Sequence, residues 1–302
     1  MSKAPYFVIY THVIWRANLV LMRRSWRYEL AGLTLFVGSV PTLGTVGIAS
    51  HGSLVAFVPT AAGLVVCADK REWNPIKGAS DTEIKIYPID SKAAFTITGS
   101  VAILDPSTLR PLFSVKELTL THLKDETVHP LVERIRSLPK ALNGAYIRFR
   151  QGGGKELERP PGATDDVITS ITVWYACKGH VHVRQVQFHA ARDAGFGGFS
   201  DKDTTEEFNR KVMIDGQTAF VIAAIRDSDP RFKTFKADPD IKTVWTSENA
   251  RDMTPTLAVK FGRKIIQDTN EFHHLVSATP TTVSAESDCS LMNPLRGFEW
   301  LK

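Results

Sequence analysis

The feature that most constrains this chain is a pair of apolar runs, residues 53–59 (SLVAFVP) and 63–70 (GLVVCADK), joined by Thr60-Ala61-Ala62 with Gly63 at the turn. Two β-rich runs so close together, with a glycine between them, predict a hairpin. Asp69 ends the apolar run Leu64-Val65-Val66-Cys67-Ala68. A carboxylate at the end of a buried strand is costly unless something pairs with it. Strand alternation puts Asp69 and Arg71 on one face if the strand reaches that far. Lys85 lies in EIKIY, between Ile84 and Ile86. It fits a solvent-facing strand position as well as a buried partner for Asp69.

The rest of the chain supplies elements to pack against this hairpin. Glu83–Tyr87 and Ala93–Thr98 read as two further strands, separated by residues 88–92. Residues 127–143 carry Val128, Leu131, Val132, Ile135, Leu138 and Leu142 at helical spacing, with a bend expected at Pro139. Gly152-Gly153-Gly154 through Pro160-Pro161 reads as a loop; the charges and prolines that follow argue against a phosphate cradle. Val167–Ala176 and His180–His189 form a long hairpin turned at Lys178-Gly179. Thr204–Ile225 is expected to hold one or two helices, Thr254–Phe272 a helix, and Thr281–Ala285 a short final strand. Strands followed by helices in this order suggest two antiparallel sheets with helices outside, an α+β layered domain.

Charge narrows the function classes. The 302 residues hold 37 Lys+Arg against 32 Asp+Glu. Residues 1–52 contain Lys3, Arg16, Arg23, Arg24 and Arg27 against Glu29 alone, so the rest of the chain is nearly neutral. A nucleic-acid partner would call for a basic face on the folded domain, and none is visible. The N-terminal basicity precedes 20 uncharged residues, Ala31–Ser50, with Gly47 and Ala49 as small residues near their end. A basic start, an apolar core and small residues are the parts of a secretory signal, for which Met22 could be the start. Arg23-Arg24 hints weakly at twin-arginine export. The alternative is a retained membrane anchor, weakened by Pro41 and four glycines. Residues 1–52 are therefore read as a signal or propeptide segment in transient contact with a membrane, and residues 53–302 as the folded domain. The expected location is exported, periplasmic or secreted, with membrane-anchored and cytoplasmic locations as alternatives.

Cys67, Cys177 and Cys289 are an odd set without zinc spacing. Three buried thiols are the simpler reading, with one disulfide open. His180 and His182 share a strand face, but no third metal ligand accompanies them, and a polar strand face explains them more simply. His273-His274 adjoin a helix end, where imidazolium favours the dipole. Trp174 and Trp245 read as core or interface residues.

Counted from Ser53, Gly63 lies 10 residues on, Asp69 16, Arg71 18, Lys85 32 and Gly99 46. The stretches HGSLVAF, GLVVCADKR, EIKIYPID and FTITGSVA carry these positions without a gap over residues 52–101. This resembles the β-subunits of the proteasome and related N-terminal-nucleophile hydrolases, as a divergent, bacterial-type exported member. Beyond residue 101 only the order of helices and strands agrees. The resemblance implies a four-layer αββα sandwich and cleavage between Gly52 and Ser53. It implies that the freed Ser53 is the nucleophile of a threonine-type endopeptidase. It implies Asp69 and Lys85 beside Ser53, the Gly99 N–H as oxyanion donor, and Arg71 as a brace. No cofactor and no metal are implied. The implied partners are a peptide or protein substrate and ring-forming copies of the chain.

The implied chemistry needs few parts. A freed α-amino group, with an ordinary pKa of about 7.7–8.0, can serve as base near neutral pH. Lys85, held by Asp69, would place positive charge beside the nucleophile. Ser in place of the family's usual Thr keeps the hydroxyl and loses the methyl group that fixes its rotamer. The family's further Ser and Asp would be sought in Asp193–Ser200. Two other functions remain open: a non-catalytic binding or assembly subunit in which Ser53 is never freed, and an amidase or acylase acting on small amides.

Overall fold

The computed structural model describes residues 47–51, 53–74, 78–105, 107–127, 130–157, 167–190, 197–216, 218, 221–222, 224, 235, 237–246, 253–276 and 281–302. Of the segment read as signal, propeptide or anchor, residues 1–52, residues 1–46 and the cleavage position Gly52 fall outside them, as do residues 193–196 of the Asp193–Ser200 segment. Among the described residues no helix is long and apolar enough to cross a membrane.

The first apolar run forms β2 (Leu54–Thr60) and the second β3 (Gly63–Asp69), paired antiparallel from Val55↔Ala68 to Thr60↔Gly63. The turn therefore needs only Ala61 and Ala62. Gly63 sits at φ 133°, and a Cβ there would lie 2.1 Å from the Met292 carbonyl oxygen. Positive φ and this close approach both select glycine. Along β3 the side chains alternate. Leu64, Val66 and Ala68 join one core, and Val65 and Cys67 join another. The run is apolar throughout because both of its faces are covered.

Two antiparallel sheets result. In chain order their strands are β1 (Gly47–His51), β2, β3, β4 (Glu72–Asn74), β5 (Gly78–Ser80), β6 (Tyr87–Asp90), β7 (Ala93–Leu104), β8 (Pro111–Ser114), β9 (Val167–Cys177), β10 (His180–His189), β11 (Gly198–Asp203), β12 (Met213–Gly216), β13 (Ser287–Asn293) and β14 (Gly297–Leu301). Nine of them make one sheet with the path β11-β10-β9-β7-β1-β4-β5, to which β6 and β8 add by pairing with β7. The other five run β12-β2-β3-β13-β14. The α-helices whose bounds fall among the described residues are α1 (Val115–Lys124), α2 (Leu131–Gln151), α3 (Thr205–Arg210), α4 (Pro239–Thr246) and α5 (Pro255–Phe272).

Three apolar clusters hold these elements together. One joins β2 and β3 to the large sheet through Val55, Phe57 and Val66 against Ala94, Trp174 and Val183. Trp174 meets Phe57 edge-on at 5.8 Å, so it is a core residue. A second gathers Phe95, Ile171, Tyr146 and Leu138 between the large sheet and α1 and α2. The third gathers Val65, Cys67, Phe261 and Ile265 between the small sheet and α4 and α5.

The expected four-layer αββα sandwich of the N-terminal-nucleophile type is corrected by this architecture. Among the described residues strand outweighs helix, 40% to 34%, and the fold is β-rich, built on two antiparallel sheets of unequal size. Much of the added strand comes from segments too short for a period-two pattern to reveal. β4 and β5 span three residues each, and β12 occupies Met213–Gly216, where helix was expected. The end of the chain holds β13 and β14, and Thr281–Ala285 itself is not a strand.

Other expectations shift in detail. The 127–143 helix runs on to Gln151 as α2 and continues through Pro139. The second hairpin turns at Ser91-Lys92, so Pro88-Ile89-Asp90 belong to β6. The long hairpin turns at Lys178-Gly179 as expected, with φ 50° and 76°. A disulfide joins Cys67 to Cys289 across β3 and β13, which corrects the reading of three thiols; Cys177 is free.

Candidate functional site: a buried Asp–Lys pair beside Ser53

Ser53 immediately precedes β2, Asp69 ends β3, and Lys85 lies in the non-strand segment before β6. All three are buried, at 0–1% exposure. Lys85 was expected within a strand, where an exposed position was as natural as a buried one. That segment belongs to no strand, and Ile84 is 53% exposed while Lys85 and Ile86 are buried.

Asp69 organises the site. Lys85 Nζ donates to both of its oxygens at 3.0 Å. The Leu54 N–H donates to Oδ1 at 2.8 Å, and the Arg71 and Ser284 N–H groups donate to Oδ2 at 2.9 and 3.1 Å. One carboxylate oxygen is thus shared by the Lys85 ammonium and the residue next to Ser53. Burial pushes the Asp69 carboxyl up, against Lys85 and these donors, which favour the charged form. Burial pushes the Lys85 ammonium down, against the pull of Asp69. A buried pair with every carboxylate lone pair engaged is the arrangement in which paired charge survives desolvation.

The Ser53 hydroxyl donates to the Ile97 carbonyl of β7 at 3.3 Å. That contact brings Ser53 within two residues of Gly99 in sequence along β7. Gly99 has φ 87°, and a Cβ there would lie 2.1 Å from the Ile168 carbonyl oxygen of β9. Glycine is therefore demanded by the neighbouring strand. On its other side Gly99 faces His51 of β1. β1 runs antiparallel between β7 and β4, so the backbone just before Gly52 is laid on the sheet beside Gly99.

Arg71 does not reach Asp69 with its side chain. Its guanidinium grips Asp81 with Nε and Nη2 at 2.6 and 2.7 Å, while its backbone N–H serves Asp69. Arg71 immediately precedes β4 and Asp81 immediately follows β5, so the pair closes the base of that short hairpin.

No family model matches the sequence, and no curated protein matches it. The site must be judged on its own geometry.

Sequence reasoning missed three contributors. Ser284 supplies a donor from 215 positions along the chain, and no local pattern announces it. Ile97 contributes a main-chain carbonyl, which carries no side-chain signal. Asp215-Gly216 ends β12, with Gly216 opposite Leu54; a Cβ on Gly216 would fall 1.7 Å from the Ser53 carbonyl oxygen. Asp215 accepts from Thr98, the residue before Gly99, at 3.2 Å. An Asp-Gly pair closing a β-rich run was the available clue.

Of Asp193–Ser200, the described part enters β11, an edge strand whose Phe199 is bonded to Asn143, away from Ser53. His182 stacks on Tyr175 at 5.2 Å. No set of three metal-ligating side chains occurs among the described residues.

Proposed function

We propose that the chain is a peptidase that hydrolyses amide bonds through Ser53, made N-terminal by cleavage after Gly52. The observation that carries this reading is the shared Asp69 oxygen, which binds the Lys85 ammonium and the Leu54 N–H together. It ties a buried cation, through one carboxylate oxygen, to the backbone of the residue that follows a buried serine. Ionisable groups held out of water beside a specific charge partner cluster at functional sites.

The chemistry runs in two stages. The freed α-amino group takes the Ser53 hydroxyl proton, directly or through water, as Oγ bonds to the substrate carbonyl carbon. Lys85 stabilises developing negative charge at Oγ. The Gly99 N–H is the proposed oxyanion donor. The α-ammonium returns its proton to the leaving amine, and the ester left on Ser53 is hydrolysed by water. Self-cleavage uses the same hydroxyl on the Gly52 carbonyl, with an ester formed in place of the Gly52–Ser53 amide and then hydrolysed.

The lane of β1 favours a peptide over a small amide. The chain's own residues 47–51 lie there as an extended strand, so the acyl side of the reacting bond is recognised through backbone pairing with β7. Rings of identical copies and export belong to this reading only through the family resemblance.

Determining the N-terminus of the purified protein tests the proposal. A chain that begins at Ser53, with cleavage lost in Ser53→Ala, supports it. A chain that begins at Ser50 leaves the nucleophile behind three residues and sinks it, leaving a binding or assembly subunit.

A further inference from the structure

Asp69 takes two of its three backbone donors, the Arg71 and Ser284 N–H groups, on the same oxygen, Oδ2. Arg71 is tied to Asp81 directly, and the segment that holds Ser284 is tied to it through Arg71. Arg71 holds Asp81 through two parallel bonds at 2.6 and 2.7 Å, the fork geometry that fixes direction as well as distance. The third arm of the guanidinium, Nη1, reaches the Thr281 carbonyl at 3.5 Å. The Arg71 guanidinium holds the Asp81 carboxyl below the usual carboxylate range. The segment between Thr281 and Ser284 is itself stiffened. The Val283 N–H bonds the Thr281 hydroxyl at 3.1 Å, and Asn270 of α5 donates to the Val283 carbonyl at 2.7 Å. Asp81 thus holds the guanidinium at which a segment near residue 70 and one near residue 283 meet. It sits one layer outside the buried carboxylate that both segments serve.

We propose that Asp81 is a positioning residue: by fixing the Arg71 guanidinium, which also reaches the Thr281 carbonyl, it holds in place the two N–H donors that orient the Asp69 carboxylate, and so sets the place of Lys85. The claim deepens the proposed hydrolase and rests on that reading for its effect on rate. Asp81 touches neither Ser53 nor Lys85. Its side chain is 42% exposed, so the brace is reached from solvent while the groups it serves are not. Outer partners of this kind act on rate more than on stability, because they govern orientation and contribute little net Coulomb energy of their own.

The test uses the full chain and two readouts. The first is the rate at which a chain beginning at Ser53 appears after synthesis, followed by intact mass. Because this cleavage is intramolecular, no substrate affinity enters. The second is amide hydrogen exchange at Ser284 and Arg71. In Asp81→Ala the cleavage slows about tenfold, the usual scale for loss of an outer partner, and still reaches completion. Exchange at the two amides quickens by a similar factor while the melting temperature stays within a few degrees. Asp81→Glu, which can still take the guanidinium fork, recovers most of the rate. Asp81→Asn serves if the alanine variant does not fold, with the same expected slowing.

Unchanged exchange at Ser284 and Arg71 overturns the brace whatever happens to cleavage. Faster exchange with an unchanged cleavage rate overturns it as well. If the unmodified chain is never cut at Ser53, the hydrolase reading fails instead, and the two amides alone then decide whether Asp81 positions Asp69.

Discussion

Two ion pairs lie within one turn of chain of each other and obey different physics. Lys85–Asp69 is wholly out of water, and Arg71–Asp81 is partly in it. The exposed pair has the shorter contacts, 2.6 and 2.7 Å against 3.0 Å, yet solvent screening leaves it little to contribute to stability. The buried pair gains a strong attraction and surrenders much of it to desolvation. Contact length is therefore a poor guide to what each pair does. The buried one is tolerable only because three backbone N–H groups complete the Asp69 carboxylate, and one of those belongs to Arg71 of the outer pair.

The largest effect should come from breaking the buried pair from one side. Lys85→Met leaves Asp69 as an unpaired buried carboxylate, and such losses cost about 3–5 kcal/mol. Urea denaturation measures this, and no chain beginning at Ser53 should appear. A cost below 1 kcal/mol would mean that Asp69 is reached by water, and the contrast between the two pairs would collapse.

Next comes the covalent link. Cys67 and Cys289 tie β3, which carries Asp69, to β13, which begins three residues after Ser284. The bond is buried under α5; a Cβ on Gly262 would lie 2.7 Å from Cys67 Sγ. It joins residues 222 apart, and removing such a link typically costs about 2–4 kcal/mol. The double variant Cys67→Ala/Cys289→Ala should lose that much by denaturant midpoint, while Cys177→Ser stays near the parent. If the double variant keeps full stability, the register of β3 on β13 is held by strand pairing alone.

A smaller effect separates charge from hydrogen bonding. Asp69→Asn/Lys85→Met removes both charges, so the double variant should be more stable than Lys85→Met alone by about 1–3 kcal/mol. It should still fall short of the parent. An amide at position 69 offers one acceptor oxygen and an NH2 group that would confront the Arg71 or Ser284 N–H. Full recovery would show that the backbone donors do not matter.

What the sequence disclosed about these pairs follows from distance along the chain. The hairpin was legible because its strands and its turn glycine are contiguous, and each of Leu64–Ala68 votes for the same element. Asp69 was legible as a carboxylate in need of a partner. Lys85 was not settled, because Ile84-Lys85-Ile86 reads equally well with either face inward; the choice is made by Asp69, on another strand. Ser284 and Cys289 lie more than 200 residues from their partners, and nothing near them in sequence marks the contact. The fold class went astray for a related reason. Strands of three or four residues, such as β4, β5 and β12, are specified by the strands they pair with and show too few alternations to read alone.

The smallest stability effect belongs to the outer pair, and its pH dependence has a definite sign. Arg71 holds the Asp81 carboxyl below its ordinary value of 3.8. The folded state therefore favours the ionised form, and the contribution is complete above that ordinary value. It is lost as pH falls through the lower, folded value. Asp81→Asn should cost no more than about 1 kcal/mol at pH 7, the range for a partly exposed pair. The difference in melting temperature between parent and variant should be flat above about pH 5 and shrink below about pH 4. A difference that grows toward acid would mean that Asp81 is strained in its charged form, which would reverse the part it plays for Arg71. A difference of several kcal/mol at neutral pH would make the outer pair as costly to break as the buried one, and the distinction between a pair that positions and a pair that reacts would no longer hold.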